Sequence, residues 1–504
     1  MISGNYVELL QQAGPETLVS VAALAVLFVD LGVMRSEPAR NRRLIAAAVS
    51  AFGCLAALLW TFNMPLPHAV APGLLVVDPL TQLVKQVLLV LTLFTAAISL
   101  DAAFTDHVGE YFSLLLLATV GMMFLVSSDD ILMVFVSLEL TSLSLYILTA
   151  FNKRNPRSAE AALKYFLFGG MAAAFTLFGL SLLYGLSGTT SLAGISAGLR
   201  GKGLDPLLAV ALVMTVIGFG FKIAAVPFHL WAPDTYQGAP IPVAALIASG
   251  SKVASFFIFA KVMMVGFAGV EGSGSWGALV PGWVPVLAVM AVFSMLLGNL
   301  GAIAQSSVRR LLAYSAIAHG GYMLLGLLAA GHAPTRHQGI AAVVYYAATY
   351  GLTTVGAFGV VAAVGGAGER DGLRDFAGLS RRAPALSLCL LVFMLSLAGI
   401  PPLAGFFGKF YVFTAAAGAQ PAHLGLLWLV IFAIAMSAVS LYYYLQVLKQ
   451  VYVAAADADA QPVKASLSDQ IALSLLALAV LLLGALPQPL LLERLEAAAR
   501  LVAP

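Results

Sequence analysis

The sequence predicts an all-α polytopic membrane protein of about fourteen transmembrane helices, and three observations predict it. Of 504 residues, 61% are hydrophobic and only 10% are charged, too little polarity for a water-soluble globule of this size. Apolar runs near the ~20 residues that a helix needs to cross a bilayer recur from end to end. Backbone polar groups in lipid must pair internally, which leaves helices or a closed barrel, and unbroken runs such as residues 471–487 lack the alternation of a barrel.

The expected spans fall at about 17–34, 44–62, 80–100, 111–128, 130–151, 160–186, 207–229, 242–266, 278–299, 309–330, 338–365, 385–416, 423–448 and 468–488. Lysine and arginine test this assignment, because short cytoplasmic loops carry the excess of both. Loops joining odd to even spans hold Arg35, Arg40, Arg42, Arg43, Lys153, Arg154, Arg157, Arg309, Arg310, Arg370, Arg374, Arg381, Arg382, Lys449 and Lys464. The other side holds Arg200, Lys202, Arg336, Arg494 and Arg500. A miscounted helix would scramble that bias, so both termini are predicted on the non-cytoplasmic side. Residues 1–17 carry Glu8 and Glu16 and no Lys or Arg, unlike a cleavable secretory signal, so the first span is expected to stay. The net charge of +3 is mostly topology signal and no nucleic-acid footprint. Cys54 and Cys389, far apart in apolar runs, read as small core residues rather than metal ligands.

No long polar stretch divides the chain, so residues 1–504 read as a single membrane domain that opens with a three-helix segment, 1–110. The most polar connection, GAGERDGLRDFAGLSRR at 366–382, reads as a solvated cytoplasmic loop. Two spans carry both a lysine and an interior proline. Lys222 precedes Pro227 in GFGFKIAAVPFHLWAPDTYQGAP, and Lys409 follows Pro401 and Pro402 in LAGIPPLAGFFGKFYVF. Proline cannot donate and its ring clashes with the preceding turn, so each site is expected to open its helix and free carbonyls that can hold a cation or water. Broken helices in corresponding places of two halves point to inverted repeats around a midplane ion path. Those halves are the five spans of 111–266 and the five of 278–448, with a C-terminal helix, 468–488, beyond them. Two unrelated proline kinks are the alternative.

Glu139, Lys222, Lys252 and Lys409 interrupt otherwise apolar spans, where a charge at the bilayer centre costs at least about 2.5 to 3.5 kcal/mol on insertion scales. Charge movement is the commonest reason for such residues. Glu139 has Ser137, Thr141, Ser142 and Ser144 around it to carry water, and a carboxylate so placed can take or release a proton as a positive charge nearby moves. A static counter-ion is the alternative. Lys222 ends the first half of a broken helix, where the last carbonyls favour a cation, and Lys252 sits beside Gly250 and Ser251 near mid-span. Lysine titrates near ~10.4 in water and can fall to ~5 or 6 when fully buried, so an embedded amine can carry a proton at physiological pH. Arginine cannot, and none of the three deep cations is arginine. A permanent clamp to a carboxylate is the alternative for each.

Lys85 and Lys261, near the ends of their spans, read as snorkelling residues. Lys164 follows Glu160 by four residues on one helix face, which fits an interfacial ion pair and a proton relay equally. His319, in LLAYSAIAHGGYMLLG, suits a relay between lysines or is a satisfied core histidine. His229 lines the cytoplasmic side of the first break or caps it. Tyr345, Tyr346, Tyr350, Thr349, Thr353 and Thr354 give one late span a polar stripe fit for ordered water or for aromatic packing. The sequence holds no dinucleotide or phosphate loop and no iron–sulfur cysteine set, so no cofactor site is expected in this chain.

In chain order, SLEL with Glu139, ALKYF with Lys164, the Lys222 segment, ASGSK with Lys252, GNLGAIAQSSVRRLLAYSAIAHGGY with His319 and GIPPLAGFFGKFYVF with Lys409 resemble the antiporter-like subunits of respiratory complex I. That complex is the proton-translocating NADH:quinone oxidoreductase, and the resemblance is greatest to its subunit N type, the bacterial counterpart of mitochondrial subunit 2. It covers nearly all spans. It implies that Glu139 and Lys222 interact in the first half, that Lys252 is the central relay, that Lys409 passes the proton in the second half, and that His319 and Lys164 belong to the hydrophilic axis. It also implies a bacterial inner-membrane setting and partners: other complex I membrane subunits, two of them antiporter-like, and a peripheral arm. FMN, iron–sulfur clusters and quinone are then expected in those partners.

Arg309 and Arg310 stand where relatives carry Lys-Arg, with no change in charge. With the sequence ending at Pro504, the extra C-terminal spans and lateral helix of the largest antiporter-like subunit are not expected, and Lys409 stands where the middle one typically carries glutamate. The expected function is proton translocation through Glu139, Lys222, Lys252, His319 and Lys409, coupled to quinone reduction in other subunits. A subunit of a multi-subunit sodium/proton antiporter, or a free-standing secondary transporter, is the alternative.

Overall fold

The computed structural model describes residues 13–64, 68–70, 74–366, 370–419, 424–456, 463 and 465–502; Glu8 and Lys464, used above as topology signals, lie outside them. Helices dominate. In order they are α1 Gly14–Phe28, α2 Ala39–Asn63, α3 Pro79–Ile98, α4 Val108–Ser127, α5 Ile131–Thr149, α6 Pro156–Ser187, α7 Leu192–Leu199, α8 Pro206–Lys222, α9 Trp231–Gly238, α10 Ile241–Gly266, α11 Trp283–Ile303, α12 Val308–Ala330, α13 Arg336–Gly365, α14 Leu379–Arg382, α15 Pro384–Ala398, α16 Ala404–Gly418, α17 Leu427–Tyr452, α18 Leu467–Ala485 and α19 Glu493–Val502. Among the described residues, twelve helices are long and apolar enough to cross a membrane, and α8 and α15 are apolar but shorter. The twelve fall on twelve of the expected spans, and the two short ones fall on the two spans with both a lysine and an interior proline. The protein is an all-α, multi-pass membrane protein; the described strands form only two small hairpins.

Several helix starts follow directly from the sequence. Asp78-Pro79, Asn155-Pro156 and Asp205-Pro206 each put a capping oxygen before a proline at the first helical position, where its missing N–H is not needed. The Asp78 carboxylate accepts from Thr81 N at 2.7 Å, and Asp205 accepts from Leu208 N at 2.8 Å. Asp130, which caps α5, accepts from Leu132 N at 2.8 Å.

The prolines open their helices. After Lys222 the chain leaves the α8 axis and resumes as α9, with Ala224 at φ +55° in the left-handed region, a conformation that costs a non-glycine residue about 1–2 kcal/mol. Packing holds the break: Val226 N donates to Ser294 Oγ at 2.9 Å, and Trp231 Nε1 donates to the Phe221 carbonyl at 3.1 Å. The second break runs from Gly399, at φ +87°, through Pro401 and Pro402 to α16. A third irregularity was not foreseen: α10 widens to a π-helical stretch at Ile247–Ser251, directly before Lys252. Such bulges concentrate at functional sites.

α10, α12 and α13 form the interior, and α13 packs against α3, α10, α12, α15, α16 and α18. The cysteines behave as core residues, both buried and free. The snorkelling assignment for Lys85 is corrected. It is 1% exposed and forms a 2.7 Å ion pair with Glu16 of α1, also 1% exposed. A carboxylate beside a buried ammonium offsets its lost hydration, and the one beside Lys85 lies two spans earlier in sequence. Lys261 is 3.2 Å from Asp129 and donates to the Ser128 carbonyl at 2.8 Å, at the end opposite the basic loops.

Candidate functional site

Three lysines define a row through the middle of the fold. Lys222, the last residue of α8, is half-buried, and its Nζ donates to Ser142 Oγ of α5, with the Phe221 and Tyr146 rings 5.5 and 6.0 Å away. Lys252 is 2% exposed; its Nζ donates to the Ala316 carbonyl of α12 and lies 5.5 Å from the Tyr350 ring centre. Lys409 is 4% exposed, and its Nζ donates to the carbonyls of Leu397 and Ala398 at 3.2 and 3.0 Å and to Ser437 Oγ at 2.8 Å. Those two carbonyls end α15, so the second break holds a cation on freed backbone oxygens as its prolines predict. Among the described residues no carboxylate lies within ion-pair distance of any of the three ammoniums. The permanent clamp considered from sequence is absent from this conformation.

His319 lies within electrostatic reach of the second and third of them. It is 1% exposed on α12, three residues after Ala316. Its Nδ1 is 2.8 Å from the Tyr346 hydroxyl and its Nε2 is 3.1 Å from the Tyr444 hydroxyl, which is 2.5 Å from Ser315 Oγ. A neutral imidazole donates on one side and accepts on the other, so moving its proton reverses both contacts. Toward Lys252, a Cβ at Gly320 would lie 3.8 Å from the ammonium. Toward Lys409, the Tyr322 ring packs edge-on against His319 at 5.8 Å and lies 5.1 Å from Lys409 Nζ. The Tyr322 hydroxyl accepts from Asn299 Nδ2 at 3.1 Å, and Asn299 Oδ1 accepts from the Tyr443 hydroxyl at 3.1 Å.

Between the first lysine and the second, Lys222, Thr141, Ser142, Ser251 and Ser255 line a cavity of about 10 Å³. That is near the least space one water occupies, and its polar lining supplies the partners such a water needs. It leads from Lys222 to the residue next to Lys252.

Other assignments change. Glu139 is half-exposed rather than interior: it shares a face of α5 with the exposed Leu132, Val136, Leu143 and Ile147, at three- and four-residue spacing. It lies within electrostatic reach of Lys222 but makes no ion pair with it. Lys164 lies apart from the row, in a surface network at the end that carries the basic loops, 2.7 Å from both Glu160 and Asp234. Arg310 reaches Asp234 at 2.6 Å. Burial pushes the Asp234 carboxyl up, but hydrogen bonds from Lys164 and Arg310 outweigh it and hold the group below the usual carboxylate range. Arg309, counted above as a loop residue, is buried in the first turn of α12 and donates to the carbonyls of Tyr236 and Ala239 that end α9. His229 is half-buried beyond the break, and its Nδ1 has no hydrogen-bond partner among the described residues. Of the tyrosine stripe, Tyr346 and Tyr350 face His319, whereas Tyr345 turns away and donates to the Leu483 carbonyl at 2.7 Å.

The class is that of a multi-pass membrane protein with lysines set beside two broken helices, free of carboxylate partners among the described residues. Residues 128–437 match the family described as NADH:quinone oxidoreductase/Mrp antiporter, TM, and the chain belongs to that family. Over 496 residues it is 53% identical to NADH-quinone oxidoreductase subunit N 2 of Acidobacterium capsulatum, covering 97% of this chain and 98% of the relative. Its fold is similar to a chain of respiratory complex I from Thermus thermophilus with bound aureothin, at TM-score 0.76 and 34% identity over 96% of this chain and 99% of that one. A chain of the Mrp complex from Dietzia sp. DQ12-45-1b shares the fold at TM-score 0.80 and 22% identity, covering 97% of each.

Proposed function

We propose that the chain is a proton-translocating membrane subunit of an NADH:quinone oxidoreductase, of the subunit N type, acting through Lys222, Lys252, His319 and Lys409. The observation that carries this reading is the unpaired state of the three ammoniums. An amine held by hydroxyls and carbonyls can give up its proton without leaving an opposite charge stranded, and one clamped to a carboxylate cannot. The near-full-length identity to a subunit N supports the complex I assignment over the sodium/proton antiporter alternative.

Quinone reduction in partner subunits moves Lys222 between Ser142 and Glu139. A unit charge about 10 Å away, at an effective dielectric near 20, is worth on the order of 1–2 kcal/mol, a roughly tenfold change in a protonation equilibrium. That change passes to Lys252, through His319 with its Tyr346 and Tyr444 partners, and on to Lys409. The two halves, 111–266 and 278–448, act as inverted repeats, each with one broken helix. Lys164 anchors the uptake side through Asp234. The basic loops face the cytoplasm of a bacterial inner membrane and both termini face away from it. FMN, iron–sulfur clusters and quinone sit in partner subunits, and other membrane subunits cover the face around Glu139.

The test is Lys222→Ala in the assembled complex. NADH-driven acidification of sealed inverted vesicles is expected to collapse while the complex still assembles. Full pumping at normal turnover would overturn the proposal.

A further inference from the structure

A second cavity lies away from the lysine row, at the end that carries the basic loops. Its volume is about 460 Å³, and Asp101, Asn152, Arg154, Ile241, Ala362 and Asp469 are among its lining residues. Asp469, in the first turn of α18, is only 8% exposed, and its Oδ1 has no hydrogen-bond donor. The Asp101 carboxyl, from the loop after α3, approaches it closely enough to share a hydrogen bond. Two carboxylates cannot share one unless a proton lies between them. Of the charged groups on the surrounding elements, Arg154 lines the cavity and Arg43 donates to the Leu100 carbonyl beside Asp101 at 3.0 Å.

The cavity floor leads inward. Ile241 opens the α10 span that carries Lys252, and Ala362 lies near the end of α13. Eight and twelve residues back along α13 from Ala362, about 12 and 18 Å at the helical rise, are Thr354 and Tyr350, on a four-residue row that winds round the helix. Tyr350 faces Thr354 and lies under the Lys252 ammonium. Phe358, one turn back from Ala362 toward Thr354, is fully buried and packs edge-on against the Tyr236 ring.

We propose that Asp101 and Asp469 form a proton-collecting pair in a water-filled vestibule that feeds Lys252 along α13, with Phe358 as the gate. This rests on reading the basic-loop end as the uptake side. A hydronium gives its proton to the carboxylate pair and leaves as water; the shared proton then passes to a vestibule water and inward. Collection limits the rate only where protons are scarce, so the effect must grow as pH rises.

The experiment uses the complete complex in inverted vesicles, with Asp469→Asn, Asp469→Glu, Asp101→Asn and Lys222→Ala compared for NADH-driven acidification against pH. Asp469→Asn and Asp101→Asn are expected to pump within about a third of the wild-type rate at ~pH 6 and more than about threefold slower at ~pH 8.5, with Asp469→Glu restoring the profile. A wild-type profile in both asparagine variants overturns the proposal. So does a loss of the same size at every pH, which is what a mere helix-capping role of Asp469 would give. Normal pumping by Lys222→Ala would sink the wider reading of the lysine row. Loss of pumping there together with unaltered profiles in the asparagine variants sinks the vestibule alone.

Discussion

The Glu16–Lys85 pair joins two helices of the N-terminal segment and gives the sharpest stability prediction. At 2.7 Å and an effective dielectric near 20, the Coulomb attraction is about 6 kcal/mol. Stripping water from both groups costs several kcal/mol per ion, so the pair as a whole comes out near zero. Removing one member is different, because the remaining charge stays buried without a partner. Glu16→Gln and Lys85→Met are each expected to destabilise the fold by about 3–5 kcal/mol, and the double variant to lie within about 1 kcal/mol of the wild type. The assay is a double-mutant cycle on thermal melting of the detergent-solubilised complex, read with the yield of assembled complex. Single variants that melt like the wild type, or a double variant as unstable as the worse single, would refute the reasoning.

Lys409→Arg keeps the positive charge but replaces an amine that can lose its proton with a guanidinium that cannot. It is expected to assemble and to fail in vesicle acidification; wild-type pumping would remove proton release from the role of Lys409. Gly405→Ala would drive a Cβ into the Ser396 carbonyl oxygen, inside the second break. Overpacking of this kind costs typically about 1–3 kcal/mol, and here it pushes apart the elements that hold Lys409, so acidification should fall more than assembly does.

Proline made the breaks legible before any coordinates: a residue without an N–H could not sit quietly in α8–α9 or α15–α16, and the carbonyls it freed are those that hold Lys409. The proposed proton carriers stood out for the related reason that a lone lysine in an apolar run is conspicuous. What stayed hidden depended on direction. Hydropathy places Glu139 at mid-span but says nothing about which face of α5 it occupies, and that face is open in the single chain. Lys85 looked like an interfacial residue because its partner, Glu16, is 69 residues away. Tyr444, Tyr322 and Asn299 escaped notice because tyrosine passes as an aromatic packer and one amide barely dents the hydropathy of α11. The run of tyrosines in LYYYLQ was the available signal.

A density map of the assembled complex at a resolution that shows individual waters tests the central claim most directly. The account predicts ordered water in the cavity between Lys222 and Ser251, and a continuous set of hydrogen bonds from there past Lys252, His319 and Tyr444 to Lys409. Dry packing along that row in every state of the catalytic cycle, with each ammonium fixed to a carboxylate, would contradict it.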